Sequence, residues 1–596
     1  MKDRPSSSVK ADRLVFLLLS SIILVYVVIR AASIPWVHDE STTMYWYVER
    51  GEFLPYRSLW DAGNHFLSSA IGIIAYGTWG LSLLGSRIGS VIAFILFAWA
   101  IHGLGGHFHD RVTRWIAQVA LLMCPFLLDF FSLFRGYGLA MAFWSIAIDG
   151  LIRFSRSRRP IHLVQLLGAL FLADMAVLSL VPLWALVVAA IGVIEIHRWR
   201  KHGTIFPRQI AGIWALLGVL PLLLGLLLAW ELRRRGALYH GSTEGFIDVT
   251  MRSLSKYVLG SDHIVVIVST LAILGAALVL LVKQRDPFPA RLIAGLLLSD
   301  VIMRIGMALI LNVNYPEDRA ALHMVPLVIL FVAFSADRYE GKWKWVLIVP
   351  LLFLPLRTVV TANFDHTLLW PEQSVPSRFL RSINDLQQQQ ERPIIIGAYH
   401  QLSFAIPYAA KLLKLDLQPP DVIGFPEGAH EVRIVDDRFL PQAGNGYRRI
   451  DRSEGNGLSL LVREQPLQFH EVDRSIIVQT DPKAEFIELW RGNEIMMAND
   501  LRFRVRTSIG SVEDHLQLNL VASQQDKGTS VYYNSIPVTH FRTKWSGEEM
   551  DITINFPALG ADEKVVYLWN VARQQIEMGP IEVDVQEVGE RGKMRR

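Results

Sequence analysis

From Leu14 to about Thr361 the chain is a succession of long apolar runs, and from Asn363 onward charged and polar residues dominate. A helical crossing of a hydrocarbon core takes about 20 mostly apolar residues, and only helices or closed barrels satisfy their backbone there. Eleven runs read as spans: 14–34, 87–104, 115–134, 137–152, 161–180, 182–196, 209–230, 263–282, 290–311, 320–336 and 345–361. A twelfth, "FLSSAIGIIAYGTWGLSLLG" at 66–85, is of comparable apolar character, but it holds four glycines together with Ser68, Ser69, Thr78 and Ser82.

Loop charge decides what that twelfth run does, because Lys and Arg in short loops mark the cytoplasmic side. The basic segments are the N-terminal leader, "HFHDRVTR", "RFSRSRRP", "HRWRKHG", "KQRDPFPAR" and "DRYEGKWK"; "LFRGYG" and "NVNYPEDR" carry little charge. If 66–85 does not cross, all the basic segments fall on one face. If it crosses, the leader opposes every later basic loop. The expectation is therefore an interfacial helix at 66–85, a cytoplasmic N-terminus, and a C-terminal half outside.

A sequence pI near 9.0 is accounted for by these loops, and nucleic acid is not an expected partner. The single cysteine, Cys124, lies in an apolar run, which excludes an intramolecular disulfide and a zinc cluster of cysteines. The basic leader precedes a long apolar core without a small-residue cleavage site, the pattern of a retained anchor.

The stretch "WVHDESTTMYWYV" at 36–48 follows the first span and sets Asp39 and Glu40 side by side. Charges held beside a bilayer are costly unless they have a function. On the same predicted face lie His38, Asn64 and His65 of the first loop, then Asp129, Arg135 and Tyr137 around the third and fourth spans. The 231–262 loop adds Lys256, and Arg319 and His323, four apart and so on one helix face, open the tenth span. Helix N-termini favour anions, and one carboxylate pair among several cations suits a lipid phosphate. In sugar transfer from a polyprenyl-phosphate sugar the leaving phosphate is already a stable anion and needs cations. The acceptor hydroxyl needs one base. Glycoside hydrolysis normally needs two separated carboxyl groups.

These motifs resemble the GT-C superfamily of membrane glycosyltransferases, and within it the bacterial protein O-mannosyltransferase and aminoarabinose-transferase group. The Asp-Glu motif follows the first span, "NHFL" stands in the place of an Asn/Pro-His-Pro-Leu segment, with Phe66 where Pro is common, and "GSRIGSVIAFILFAWAIHGLGGHF" and "YPEDRAALHMVPLVIL" are similar to two span signatures. The resemblance covers roughly residues 14–361. It implies that Asp39 is the base, that Glu40 orients or binds the acceptor, and that the lipid-phosphate cation is Arg319 or, less closely matched, Arg135. It also implies a bacterial inner (plasma) membrane location. Asn64, His65, Asp129, Arg135, Tyr137, Lys256, Arg319 and His323 are the candidate substrate-binding residues. No cofactor is expected and no metal site is assigned.

In the C-terminal half, 362–465 reads as helix, apolar strand, helix, and lacks a glycine-rich phosphate fingerprint. From about 466 the period becomes two, in "LRFRVRTSI", "HLQLNLVAS", "DITINFP" and "IEVDVQEV", which predicts a β-sandwich. It is similar in architecture to carbohydrate-binding sandwiches. Trp545, Tyr567 and Trp569 are able to stack on sugars, although core packing is the expected role of each. Tyr45–Tyr47 is expected to form an interface belt. Asp300 and Arg304 are expected to form an intramembrane structural pair.

The expected fold is thus a polytopic α-helical membrane protein of about 11 spans, GT-C-like, with a C-terminal soluble α/β segment and a β-sandwich. Its divisions are 1–361, with a first outer loop at 35–86, then 362–465 and 466–596. The expected function is inverting transfer of a sugar from a polyprenyl-phosphate donor to an extracytoplasmic acceptor, with membrane lipid as a further partner. The alternatives are a transporter or flippase of a lipid-linked glycan, for which the internal repeats common in transporters are missing, and a non-catalytic glycan-binding receptor.

Overall fold

A computed structural model describes residues 7–202, 207–283, 288–390, 392–421, 428–479, 481–492, 499–510, 516, 518–538 and 548–590. The chain forms two compact units. One comprises residues 1–33 and 46–364, the other residues 34–45 and 365–596. The protein is a polytopic membrane protein with a β-sandwich in its C-terminal region.

Among the described residues of the helical unit, eight helices are long and apolar enough to cross a membrane: Lys10–Ser33, Leu83–Gly105, Gly136–Ser157, Leu178–Lys201, Arg208–Arg234, Ile264–Lys283, Phe288–Leu311 and Trp343–Thr361. Arg111–Leu122 and Pro125–Phe131 make a ninth, bent by 51° where Pro125 removes a backbone donor. The shorter apolar helices Pro160–Ala176 and Met324–Asp337 complete the correspondence with the eleven predicted runs. The remaining helix, Phe66–Trp79, stops at Gly80, whose φ is +66°. Its 14 residues reach about 21 Å, as do the 14 of Met324–Asp337, so length alone does not set it apart from the predicted spans.

Ion pairs show which basic segments share an end of this unit. Arg111 bonds Asp12 at 3.1 Å, joining the leader to "HFHDRVTR". Lys344 Nζ lies 2.7 Å from Asp110, and the His109 backbone N–H donates to Asp337 at 2.9 Å, joining that segment to "DRYEGKWK". Arg156 Nη1 is 3.3 Å from His107. The leader and these three loops therefore sit at one end, as they do if 66–79 leaves the chain on the side where it began.

In the C-terminal unit, strands β1 (Ile396–Gly397), β2 (Val432–Asp436), β3 (Tyr447–Ser453) and β4 (Leu458–Arg463) form a sheet in the order β1-β2-β4-β3. Helices Ser377–Gln390 and Ala405–Leu413 pack on it through Phe379, Leu380, Ile383, Ile406 and Ala410. Eight further strands follow: β5 (Leu467–Ile477), β6 (Phe486–Gly492), β7 (Asp500–Ile509), β8 (Leu518–Asp526), β9 (Thr529–Pro537), β10 (Glu548–Phe556), β11 (Glu563–Asn570) and β12 (Ile581–Glu590). They form two four-stranded sheets, β10-β7-β12-β5 and β6-β11-β8-β9. Phe503, Val505, Leu518, Leu520, Ile552, Val566, Leu568 and Val583 fill the core between them. The alternation seen in the sequence is the alternation of a pleated strand buried on one face.

One expectation is corrected here. Along β11 the buried positions are Lys564, Val566, Leu568 and Asn570, so Tyr567 and Trp569 lie on the opposite face from the sandwich core. Period two requires it: with Val566 and Leu568 inside, their neighbours point outward. Trp545 lies outside the described residues.

This alternation predicts an asymmetry between two phenylalanines. Phe503 is fully buried and Phe486 is exposed. Phe503→Ala is expected to cost about 3–5 kcal/mol, whereas Phe486→Ala stays within about 0.5 kcal/mol. Thermal unfolding of the detergent-solubilised variants checks this, and equal losses would contradict the assigned faces.

Candidate functional site

The acid pair lies on a six-residue helix, His38–Thr43, in the C-terminal unit. Glu40 is fully buried, and its Oε2 accepts the Val37 backbone N–H at 3.2 Å, fixing the start of its own helix. Asp39 is half-buried, and the hydroxyls of Thr42 and Thr43 donate to its carbonyl at 3.2 and 2.7 Å. The segment is held by its flanks. The His38 N–H donates to Gln373 Oε1 at 3.1 Å, and His38 Nδ1 lies 3.1 Å from the Gln401 carbonyl. The Trp36 ring meets Tyr408 edge-on at 5.6 Å, and the Tyr45 ring lies 5.3 Å from Phe404. The tyrosine belt expected at 45–47 is therefore corrected: Tyr45 and Tyr47 are both buried, because these rings are occupied by packing within the protein.

Four of the predicted residues come together in the helical unit. Asn64 Nδ2 donates to the Phe53 carbonyl at 2.8 Å and its Oδ1 accepts from Ser69 at 2.9 Å, which sets the entry to helix Phe66–Trp79. The adjacent His65 ring meets Tyr137 edge-on at 4.9 Å. Gly136 permits this approach: a Cβ there would collide with the Ala176 carbonyl and stand 2.8 Å from His65 Cβ. Arg135 is buried, and a Cβ on Gly63 would lie 3.7 Å from its Nη2. Burial pushes the Tyr47 phenol above its ordinary range; nearby Asp61 raises it further and Arg135 opposes. Asp129, by contrast, is paired with Arg30, and both are buried. Arg30 also donates to the Asn363 carbonyl at 2.8 Å and to Ser132 at 3.2 Å, so the Asp129 carboxylate joins three parts of the chain.

Arg319 and Lys256 stand on segments that are strapped together. Residues 231–262, read from the sequence as a loop, contain a helical stretch, Phe246–Leu259, built largely of π turns. Thr250 donates to the Pro316 carbonyl at 2.7 Å, and Ser253 accepts the Asp318 N–H at 2.8 Å. Tyr315 pairs with Ser242 as an isolated bridge. Gly241, at φ +85°, lies so close that a Cβ would strike the Tyr315 carbonyl. Asp318 itself has φ +41°, an uncommon conformation for a residue with a side chain. Its carboxylate lies 3.4 Å from Arg319 Nη1 and 3.5 Å from His240 Nε2.

Against the helical stretch Phe246–Leu259 lies an apolar cavity of about 590 Å³. Phe246, Thr250, Leu254 and Val258 form one wall, Leu274, Val328 and Leu351 line the others, and one side is open, with Leu298 exposed there. The recurrence of Phe246, Thr250, Leu254 and Val258 at every fourth position was the available signal for that wall. It was obscured by Arg252, Ser253, Ser255 and Lys256 between them.

His323 turns away from solvent. Its Nε2 is 2.9 Å from Asp300 Oδ2, while Arg304 Nε bonds Asp300 at 3.2 Å and Arg304 Nη2 donates to the Ser179 carbonyl at 3.0 Å. Trp144 Nε1 donates to the His323 carbonyl at 3.1 Å. The expected Asp300–Arg304 pair is thus a three-residue cluster that includes a candidate substrate ligand. Asp174 is buried against Gly225, and its Oδ1 has no partner among the described residues. Among the described residues no group of His, Cys, Asp and Glu is arranged to hold a metal ion.

Removing one member of a buried ion pair leaves an uncompensated charge, at about 3–5 kcal/mol. Arg304→Met is therefore expected to be strongly destabilising, and Asp300→Leu/Arg304→Met to recover much of the loss. Unfolding in mixed micelles checks this; a double variant as unstable as the single one would contradict it.

No protein-family model and no curated protein matches the chain. Among solved structures it is similar to ArnT from Cupriavidus metallidurans, apo and bound to undecaprenyl phosphate, each at 12% identity and a TM-score of 0.42 over 76% of this chain and 98% of that one. It is similar to the arabinosyltransferase EmbB of Mycobacterium smegmatis at 11% identity and a TM-score of 0.35, over 96% of this chain and 64% of that one. It is likewise similar to the arabinofuranosyltransferase AftD from Mycobacteria at 11% identity and 0.38, over 98% and 63%.

Proposed function

We propose that the protein is an inverting glycosyltransferase that moves a sugar from a polyprenyl-phosphate donor to an extracytoplasmic acceptor. The observation that carries this reading is the apolar cavity of about 590 Å³ walled on one side by the helical stretch Phe246–Leu259, which bears Lys256 and is hydrogen-bonded to the segment bearing Arg319. A prenyl phosphate has the matching chemistry, a long apolar chain ending in an anion. Arg319, with Lys256 and Arg135 in support, is the proposed cation for the leaving phosphate. Asp39 is the proposed base, while Glu40 holds the Asp39 helix in shape. His65, Tyr137 and Asn64 are proposed to contact substrate; Asp129 and His323 act through the ion pairs that fix the backbone around them.

In the reaction, an acceptor hydroxyl oxygen attacks the anomeric carbon from the face opposite the phosphate. The carbon–oxygen bond to phosphate breaks, the prenyl phosphate leaves as an anion, and the hydroxyl proton passes to the Asp39 carboxylate. One base and a set of cations suffice. The gathering of basic segments at one end supports a cytoplasmic N-terminus, with the α/β unit and the sandwich on the other side of a bacterial inner membrane.

The experiment is transfer assayed with a panel of radiolabelled polyprenyl-phosphate sugars and envelope acceptors. Asp39→Asn is expected to lower transfer by about 10²–10⁴-fold with unchanged thermal unfolding, and Arg319→Ala by about 10²–10³-fold. Full activity in Asp39→Asn would remove Asp39 as the base.

A further inference from the structure

Two cations meet at one edge of the apolar cavity without an acid between them. Val258 and Leu259 of the stretch Phe246–Leu259 line the cavity, as does Leu354 of helix Phe353–Thr361. Arg357 stands three residues beyond Leu354, on the same face of that helix. Its Nη1 donates to the Tyr257 carbonyl, and a Cβ on Gly260 would lie 3.1 Å from its Nε. The guanidinium is therefore lodged against the backbone that ends the stretch. The Tyr257 ring stacks on Phe126, 19° from parallel with centroids 5.1 Å apart, and Lys256 Nζ lies 5.3 Å from the centroid of the same ring. Thr358 Oγ1 donates to the Met123 carbonyl at 2.6 Å, which fixes the turn that bears Arg357. Arg357 is half-buried and Lys256 is exposed. Among the described residues neither pairs with a carboxylate; Asp262, nearby in the chain, is exposed and bonds to neither.

We infer that Arg357 and Lys256 form a site for a lipid phosphate monoester, the chain of the lipid lying in the cavity and its phosphate held by both cations. A guanidinium kept in a spanning helix without an acid partner is unfavourable, and capping the Tyr257 carbonyl occupies only one of its five N–H groups. The remaining donors make the fork that suits phosphate oxygens. A monoester carries between about −1.5 and −2 charges near pH 7, a diester a single one. Two cations without carboxylates match the monoester. Arg319, by contrast, shares its charge with Asp318. Ordinary bilayer phospholipids and a prenyl-phosphate sugar are diesters, whereas the prenyl phosphate left after transfer is a monoester. The pair therefore favours the leaving group over the donor. Naming the monoester as the released prenyl carrier rests on the transferase reading; the phosphate site itself does not.

The test measures binding to the full chain in phosphatidylcholine nanodiscs, with prenyl phosphate, its methyl diester and the corresponding prenyl alcohol as probes. The wild-type chain is expected to bind the monoester at least about tenfold more tightly than the diester, and the alcohol more weakly still. Arg357→Gln and Lys256→Gln are each expected to reduce that preference to about threefold or less, and Arg357→Lys, which keeps the charge, to retain the larger part of it. Thermal unfolding of Lys256→Gln, at an exposed position, is expected to stay unchanged. Equal affinity of the wild-type chain for the two esters, or an undiminished preference in both glutamine variants, overturns the site. Competition by phosphatidic acid as strong as by prenyl phosphate overturns its assignment to the carrier. Monoester preference in a chain that transfers sugar from no donor would instead fault the transferase reading and leave the site standing.

Discussion

A charge placed in hydrocarbon must be paired, and the helical unit is organised around that requirement. Arg30 and Asp129 close on one another and on Asn363, so that the first helix, the bent 111–131 helix and the end of the last helix are joined at one point. Asp300, Arg304 and His323 do the same for helix Phe288–Leu311, the Ser179 turn and the start of helix Met324–Asp337. These pairs join segments distant in the chain through several bonds each, and so they set the positions of the segments between them. The strap carrying Arg319 is one such segment. It is bounded by the Tyr315–Ser242 bridge on one side and by His323 on the other.

The same economy governs the acid segment. Two adjacent carboxylates in an aromatic setting repel each other and lose solvation. Here one of them, Glu40, is absorbed into the backbone bonding of its own helix, while Asp39 is half-buried. The anchoring rings Trp36 and Tyr45 belong to the segment itself, so the short helix is held at both ends.

Much of the fold was legible because bilayer and sheet impose strict periods. Eleven apolar runs became eleven helical segments, and the four alternating stretches became β7, β8, β10 and β12. The reading of 66–85 rested on loop charge and glycine content; its helix ends at Gly80 and is as long as Met324–Asp337. What escaped is what depends on contacts between distant residues. Nothing local to Asp129 announces Arg30, ninety-nine residues earlier, and nothing local to His323 announces Asp300. Helix Phe246–Leu259 escaped because its π turns place wall residues at every fourth position among polar ones. The outward placement of Tyr567 and Trp569 was implicit in the alternation of β11, but a strand that had not been identified gave no phase to apply.

The most direct measurement of the account is photo-crosslinking with a prenyl phosphate that bears a diazirine in its chain, followed by mass spectrometry of the labelled peptides. The account predicts labels on the cavity walls, at residues such as Leu254, Leu274, Val328 and Ile329, and competition by unmodified prenyl phosphate but not by a prenyl alcohol that lacks the anion. Labels spread over the lipid-facing surface, or competition by the alcohol as strong as by the phosphate, would contradict it.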